Sequence, residues 1–151
     1  AIFTSSLLLL FLLYWLTTPF AAERERGRLE AGIEALVPGA SVGERRLLEE
    51  DGVLSVTPIT LPEGGREHVV EVEVDGYRGV IRFLVRIDRE DGPSALRLIS
   101  EQEAPQLSSV LRDEERLLSL IGGDREPESR QEQIIVDSVV VGLRRAERAL
   151  E

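Results

Sequence analysis

The side chains able to do chemistry are few in kind in this sequence. It has no Cys and one His, His68, against 28 acidic residues. The lack of Cys excludes thiolate metal sites and Cys nucleophiles, and a single His excludes His-cluster metal sites. A Ser-His-Asp triad would need His68, and neither Ser5-Ser6 nor Ser108-Ser109 has a base nearby in sequence. An acid–base pair cannot be chosen among 28 acids without geometry. We therefore predict no catalytic residue and no metal site.

The charge divides the chain into two parts. All 18 basic residues are Arg, and the net charge of −10 argues against a nucleic-acid partner. Every charged residue lies from Glu23 onward, so residues 1–22 carry none. Any site must therefore be held by an apolar N-terminal segment or by the single charged domain that follows it.

Residues 1–22 are predicted to form one transmembrane anchor. Leu7–Leu16 is an unbroken apolar run, and 22 helical residues span roughly 33 Å, enough for a hydrocarbon core of about 30 Å. A cleaved signal peptide is the alternative, because Pro19–Ala22 resembles a cleavage site. We expect a retained anchor that contacts the lipid bilayer through residues 1–22. Tyr14 and Trp15 are candidate partner contacts, although the lipid interface also suits such rings.

A juxtamembrane helix is predicted for residues 23–38. Leu29, Ile33 and Leu36 form one apolar stripe, and Pro38-Gly39 stops the helix. Residues 39–151 are then the soluble domain.

The most regular pattern in that domain predicts a β-hairpin. Alternating residues in His68–Val74 and Tyr77–Asp88 flank Asp75-Gly76, which favours a two-residue turn. The predicted register pairs Val74 with Tyr77, Glu73 with Arg78, Val72 with Gly79 and Val70 with Ile81. It places His68 opposite Phe83, as a partly buried strand-end residue and not a catalyst.

Further elements complete an α+β domain of an antiparallel hairpin sheet and packed helices. A third strand is predicted at Ser94–Ser100, with Leu96 and Leu98 inward. One helix is predicted from Pro105 to Gly122-Gly123, with these residues at helical spacing: Leu107, Val110, Leu111, Leu118 and Ile121. After a loop at 124–133, the pattern predicts a strand at Ile134–Val136. A last helix is capped by Asp137 or Ser138 and has this apolar stripe: Val139, Leu143, Ala146 and Leu150.

Two motifs and one shorter segment of this sequence resemble one protein family. Gly76–Asp88 (GYRGVIRFLVRID) is similar to G-Y-x-G-x-I-x-x-L-V-G-I-D and differs only at Arg86. Glu101–Ser108 (EQEAPQLS) is similar to H-x-E-T-P-G-L-G, without the threonine and both glycines, and Leu36-Val37-Pro38 is similar to L-x-x-V-L-P. These segments and the anchor resemble the FMN-binding domain of the G subunit of Rnf electron-transport complexes. The C subunit of the sodium-pumping NADH:quinone oxidoreductase shares that domain.

The resemblance implies a cofactor attachment that this sequence has lost. The family esterifies FMN to the first of two threonines in S-G-A-T-x-T, with which the segment from Ser138 to Ala146 aligns. Val141 then occupies the position of the attachment threonine and Leu143 that of the second, and no threonine follows Thr60. A phosphoester needs a hydroxyl oxygen, and Val139, at the motif's glycine, adds bulk where the backbone must approach the phosphate. We expect no cofactor, with FMN as the alternative.

The resulting hypothesis is a non-catalytic, flavin-free accessory subunit of a membrane-bound electron-transfer complex, whose partners are the other subunits. The alternatives are a flavoprotein that binds FMN non-covalently, an accessory subunit of a photosynthetic reaction-centre complex, and an unrelated anchored enzyme or binding module. The resemblance implies a single-pass protein of the inner (cytoplasmic) membrane with a periplasmic domain. The arginines that directly follow the anchor would place the domain in the cytoplasm by the positive-inside rule: Arg24, Arg26 and Arg28.

Overall fold

A computed structural model describes the backbone of residues 2–151 and the side chains of residues 6–19 and 23–151. The chain divides into two compact units, Ala1–Gly32 and Ile33–Glu151. The helices are α1 (Ile2–Leu36), α2 (Pro105–Arg112), α3 (Glu114–Ile121) and α4 (Arg130–Arg148). The strands are β1 (Ser41–Val42), β2 (Arg46–Glu50), β3 (Val53–Thr60), β4 (Arg66–Asp75), β5 (Val80–Asp88) and β6 (Gly92–Ser100).

Helix α1 joins the predicted anchor and the predicted juxtamembrane helix without a break. Its described part, Ser6–Leu36, is long and apolar enough to cross a membrane. From Leu7 to Leu16, 53–75% of each side chain is exposed within the structure. This apolar surface therefore has no cover from the described protein itself.

The second unit is an α+β domain, as predicted, built on a six-stranded antiparallel sheet. The strand order is β1-β3-β4-β5-β6, with β2 also paired to β3. The sequence analysis assigned no element between residues 39 and 67, where β1, β2 and β3 lie. Pro58 argues against a central strand there. The structure accommodates it because β1 pairs with Ile59 and Thr60 while β2 pairs with Val53–Val56, so Pro58 falls at the gap between them.

The predicted two-residue hairpin turn is wrong. β5 begins at Val80, and Gly76–Gly79 forms a four-residue loop closed by the Gly76 N–H donating to the Gly79 carbonyl over 2.7 Å. Val74 therefore lies opposite Ile81, and His68 lies opposite Ile87 instead of Phe83.

The error shifts the register by four residues, an even number, so each side chain keeps its predicted face. The expected Glu–Arg pairing survives with other partners. Glu73 pairs with Arg82 at 3.1 Å, and Glu71 is paired with Arg45 at 2.8 Å. Glu67 pairs with Arg86.

Helix α4 packs mainly on β4 and closes the core. The buried cluster comprises side chains of the sheet and of the helices: Val53, Val56, Val70, Val72, Val74, Ile81, Phe83, Val85, Ile87, Leu96, Leu107, Leu111, Leu117, Ile135, Val139 and Ala146. Leu96 and Leu98 both join this core, as predicted, Leu98 being half-buried. The inward residues of β4, β5 and β6 therefore lie where their alternation places them.

The single helix predicted from Pro105 is two helices. It breaks at Asp113, whose carboxylate accepts a hydrogen bond from the Arg116 N–H and so caps α3. The break rotates the helical face, so Leu117 and Leu120 are buried while the predicted Leu118 is 39% exposed.

The strand predicted at Ile134–Val136 is also wrong, because those residues lie inside α4. The helix begins after Ser129, whose hydroxyl accepts a hydrogen bond from the Glu132 N–H. The predicted caps Asp137 and Ser138 therefore lie within the helix. A short apolar triplet does not distinguish a strand from a buried helical turn.

Candidate functional site

The two family-like segments meet in the structure. The backbone N–H of Arg78, in the hairpin loop, donates to both carboxylate oxygens of Glu103, over 3.0 and 3.1 Å. A Cβ added at Gly76 would overlap the Glu103 carboxylate and lie 2.8 Å from Ile81 Cδ1. The loop glycine is therefore needed for this contact, which we name the Glu103 clamp.

The neighbouring Glu101 makes the same segment rigid. Its side chain accepts hydrogen bonds from the Glu103 N–H over 2.7 Å and from Arg112 over 3.2 Å, and also from the Ser108 hydroxyl. Burial acts to raise the pKa of Glu101, but the hydrogen bonds from Ser108, Glu103 and Arg112 outweigh it and lower that pKa. Glu101 thus remains a charged structural group.

A cavity of about 680 Å³ lies beside the Glu103 clamp. It is lined by residues of the hairpin loop, of α2 and α3, and of the start of α4: Tyr77, Arg78, Ala104, Gln106, Leu107, Ser109, Val110, Arg116, Glu128, Ser129, Gln131 and Glu132. We call it the motif cavity. Both motifs border this cavity, so a flavin bound between them would lie here.

The charges of the motif cavity do not suit the phosphate of FMN. Arg116 is already paired with Glu128 and with Glu132, at 3.3 Å each, which leaves Arg78 as the cavity's other cation. The start of α4 also lies here, but the Ser129 hydroxyl and the Glu132 carboxylate accept hydrogen bonds from N–H groups at that end. Two carboxylates at this helix start would repel a phosphate.

The positions that correspond to the attachment threonines lie elsewhere. Val141 is 42% exposed in the middle of α4 and does not line the motif cavity. Leu143 packs against the core and Val139 is fully buried. The Ser138 hydroxyl, a nearby oxygen, donates to the Ile134 carbonyl over 2.9 Å. The structure therefore does not bring the predicted attachment positions to the cavity that the motifs border.

Flavin stacking has one candidate in this cavity. Tyr77 is half-exposed and is its lining aromatic residue. Taken with the charges, the residues present do not fit FMN.

The candidate partner contacts are exposed residues of α1. Tyr14 and Trp15 lie on α1 with 70% and 75% of their side chains exposed. Within the described residues, no group of three or more His, Asp or Glu side chains is arranged to hold a metal ion.

The structure also contains a basic cleft that was not predicted from the sequence. His68 is half-buried, as predicted, but it lines a cavity with Arg45, Arg46 and Arg89. The adjacent Arg45-Arg46 pair was the available signal, and the fold adds Arg89 from the β5–β6 turn.

Comparisons with known proteins add no family assignment. No protein-family model matches the chain, and no curated protein matches it.

The Glu103 clamp is testable by alanine substitution. Glu103→Ala removes the acceptor of the Arg78 N–H. Because this N–H is exposed and can bind water instead, we expect the full chain in detergent to lose about 0.5–1.5 kcal/mol of unfolding free energy. Hydrogen exchange at the Arg78 amide should accelerate, which reports the loop itself. The exposed Glu126 makes a matched control, because Glu126→Ala should change neither measurement. Unchanged Arg78 exchange in Glu103→Ala would show that the carboxylate does not hold the loop.

Proposed function

We propose that this chain is a flavin-free accessory subunit of a membrane-bound electron-transfer complex, anchored by one helix. In this proposal it is related to the Rnf G subunit and to the sodium-pumping quinone oxidoreductase C subunit. It holds partner subunits together and carries no redox group of its own. The proposal rests on two family-like motifs, one of them partly lost, together with a lost attachment position.

The observation that carries the proposal is the side chain of Val141. Valine has only carbon atoms beyond its backbone, so no phosphoester forms there. The neighbouring hydroxyl of Ser138 already donates within α4. Gly76 of the hairpin motif, in contrast, retains a packing role through the Glu103 clamp, which favours a scaffold that outlived the cofactor.

The exposed apolar surface of α1 supports the anchoring role. Its described side chains from Leu7 to Leu16 need either lipid or other helices around them. The reason is that each Å² of apolar surface left in water costs about 25 cal/mol. Tyr14 and Trp15 are amphipathic and exposed, and both suit a contact with a partner helix or with lipid headgroups. We propose an inner-membrane location with a periplasmic domain, on the resemblance alone.

The decisive measurement is a search for flavin on the protein. We expect intact-mass spectrometry of the chain, purified from its native membranes, to give the polypeptide mass without an FMN adduct. In-gel flavin fluorescence after denaturing electrophoresis should be absent. An FMN adduct on any residue would contradict the proposal.

Non-covalent FMN binding is tested separately. Titrating FMN with the full chain in detergent should leave flavin fluorescence unquenched, because Arg116 is neutralised by its own glutamates. Saturable quenching that Arg78→Gln weakens would favour the flavoprotein alternative instead.

The accessory role is tested by its partners. Mild detergent extraction should co-purify redox subunits in fixed stoichiometry, with an Rnf-type or quinone-reductase complex as our first choice. Reaction-centre subunits in the same preparation would favour the photosynthetic alternative. A chain that purifies alone under conditions that keep such complexes intact would contradict the accessory role.

A further inference from the structure

A basic cleft on the domain has no part in the proposed function. Its volume is about 710 Å³, and its ionisable lining residues are Glu44, Arg45, Arg46, His68, Arg89 and Glu151. A second cavity of about 710 Å³ shares Pro58, His68 and Arg89 with it. His68 therefore lies where two cavities meet, and we call the first one the His68 cleft.

Two arginines of the His68 cleft lack a carboxylate partner. Elsewhere in the domain Arg82, Arg86 and Arg116 each pair with a glutamate. Within the part of the chain that the structure describes, Arg46 and Arg89 form no such ion pair. Their positive charges are thus available to a ligand in a protein whose net charge is −10.

The imidazole of His68 responds to these charges. Burial lowers its pKa first, and the guanidinium groups of Arg89 and Arg46 lower it further. Glu44 and Glu151 line the same cleft, yet the charges that shift this pKa are both positive. Burial and the two guanidinium groups together favour the neutral ring, and the same guanidinium groups can attract an anion.

Two residues that line the cleft each have a buried polar atom without a hydrogen-bond partner in the described structure. In the described residues, four buried side-chain nitrogen or oxygen atoms lack a hydrogen-bond partner. Two of the four, Arg45 Nε and His68 Nδ1, belong to residues that line this cleft. Buried atoms of this kind cost stability and commonly signal a missing partner.

The remaining wall of the cleft is apolar. It consists of Val56, Pro58, Ala149 and Leu150. A guanidinium binds carboxylate and phosphate groups through two parallel N–H donors, while hydrocarbon walls favour an apolar body. We propose that the His68 cleft binds a small organic anion, with its carboxylate or phosphate group on Arg46 and Arg89 and its apolar part against Pro58 and Leu150.

The single His provides a direct measurement. Imidazole carbon–proton NMR signals of the full chain in zwitterionic detergent come from His68 alone. We expect phenyl phosphate or benzoate to shift these signals saturably in the millimolar range. The probe that binds more tightly shows whether the cleft prefers a phosphate or a carboxylate head group. Inorganic phosphate should bind about tenfold more weakly, because it has no apolar part to bury.

Three Arg→Gln variants make the measurement specific. Arg46→Gln and Arg89→Gln should each weaken binding about tenfold or more. The control is Arg97→Gln, which should leave binding unchanged, because Arg97 is exposed on β6 and lies outside the cleft. An equal effect of all three variants would show general charge screening and overturn the site. So would the absence of a saturable shift with both organic probes. Inorganic phosphate binding as tightly as phenyl phosphate would overturn the apolar part of the proposal.

Discussion

Arginine at both Leu10 and Leu13 is expected to release the full chain from the membrane. Near the centre of a transmembrane helix, each Leu contributes about −0.3 to −0.6 kcal/mol to insertion and each Arg opposes it by about 2.5–3.5 kcal/mol. The two changes together cost roughly 6–8 kcal/mol. That cost matches or exceeds the whole apolar gain of roughly 3–7 kcal/mol that the Leu, Ile and Phe residues of segment 1–22 supply.

The measurement is synthesis in the presence of membrane vesicles, followed by an alkaline carbonate wash. The native chain should remain in the membrane pellet and Leu10→Arg/Leu13→Arg should move to the supernatant. The matched variant Leu10→Val/Leu13→Val keeps both positions apolar and should pellet like the native chain. Retention of the double-arginine variant after the wash would show that α1 is not the anchor.

The long apolar helix could be predicted from sequence because its signal is local. A run of apolar residues without charge needs no tertiary partner to be recognised. The hairpin shows the opposite limit. Alternation in β4 and β5 predicts the strands and their faces, but loops of two and four residues give the same faces. The choice between them involves Glu103, which holds the loop from 25 residues away in sequence.

Helix α4 shows how a competing local signal was overlooked. Ser129 and Glu132 have the spacing of a capping box in a stretch that otherwise looks like a polar loop. The helix therefore starts earlier than the apolar stripe alone predicts. The earlier start changes the position of the attachment-like residue. Val141 lies in the middle of α4 instead of near its start, and it does not line the motif cavity.

The adjacent Arg45-Arg46 pair was visible in the sequence, but the rest of the His68 cleft could not be predicted from it. Arg46 is the first residue of β2, and Arg45 directly precedes it. His68 lies on β4, and Arg89 lies in the turn after β5. Only the sheet order and the register bring these residues to one cavity. Sequence patterns predict faces of an element, whereas a cleft between elements depends on how they assemble.

Alanine in place of Gly142 is expected to destabilise the domain. A Cβ at this position would lie 2.7 Å from Phe83 Cζ and 2.8 Å from Val74 Cγ1, closer than van der Waals contact allows. Phe83 and Val74 are 1% and 4% exposed, so neither has free space into which to move. Overpacking of this kind costs about 1–3 kcal/mol, and it opposes the helix-propensity gain of about 1 kcal/mol that Gly→Ala otherwise gives.

Urea unfolding of the full chain in detergent measures the effect, with a second helical glycine as control. Nothing lies within 4 Å of a Cβ at Gly27, so Gly27→Ala should leave stability unchanged or slightly raised. Phe83→Leu removes the ring atom that the new methyl group meets. Gly142→Ala should therefore cost less in the Phe83→Leu background, as a double-mutant cycle reports. Equal stability of Gly142→Ala and the native chain would mean that α4 does not approach the sheet this closely. The segment that resembles the attachment motif would then have a different position on the domain.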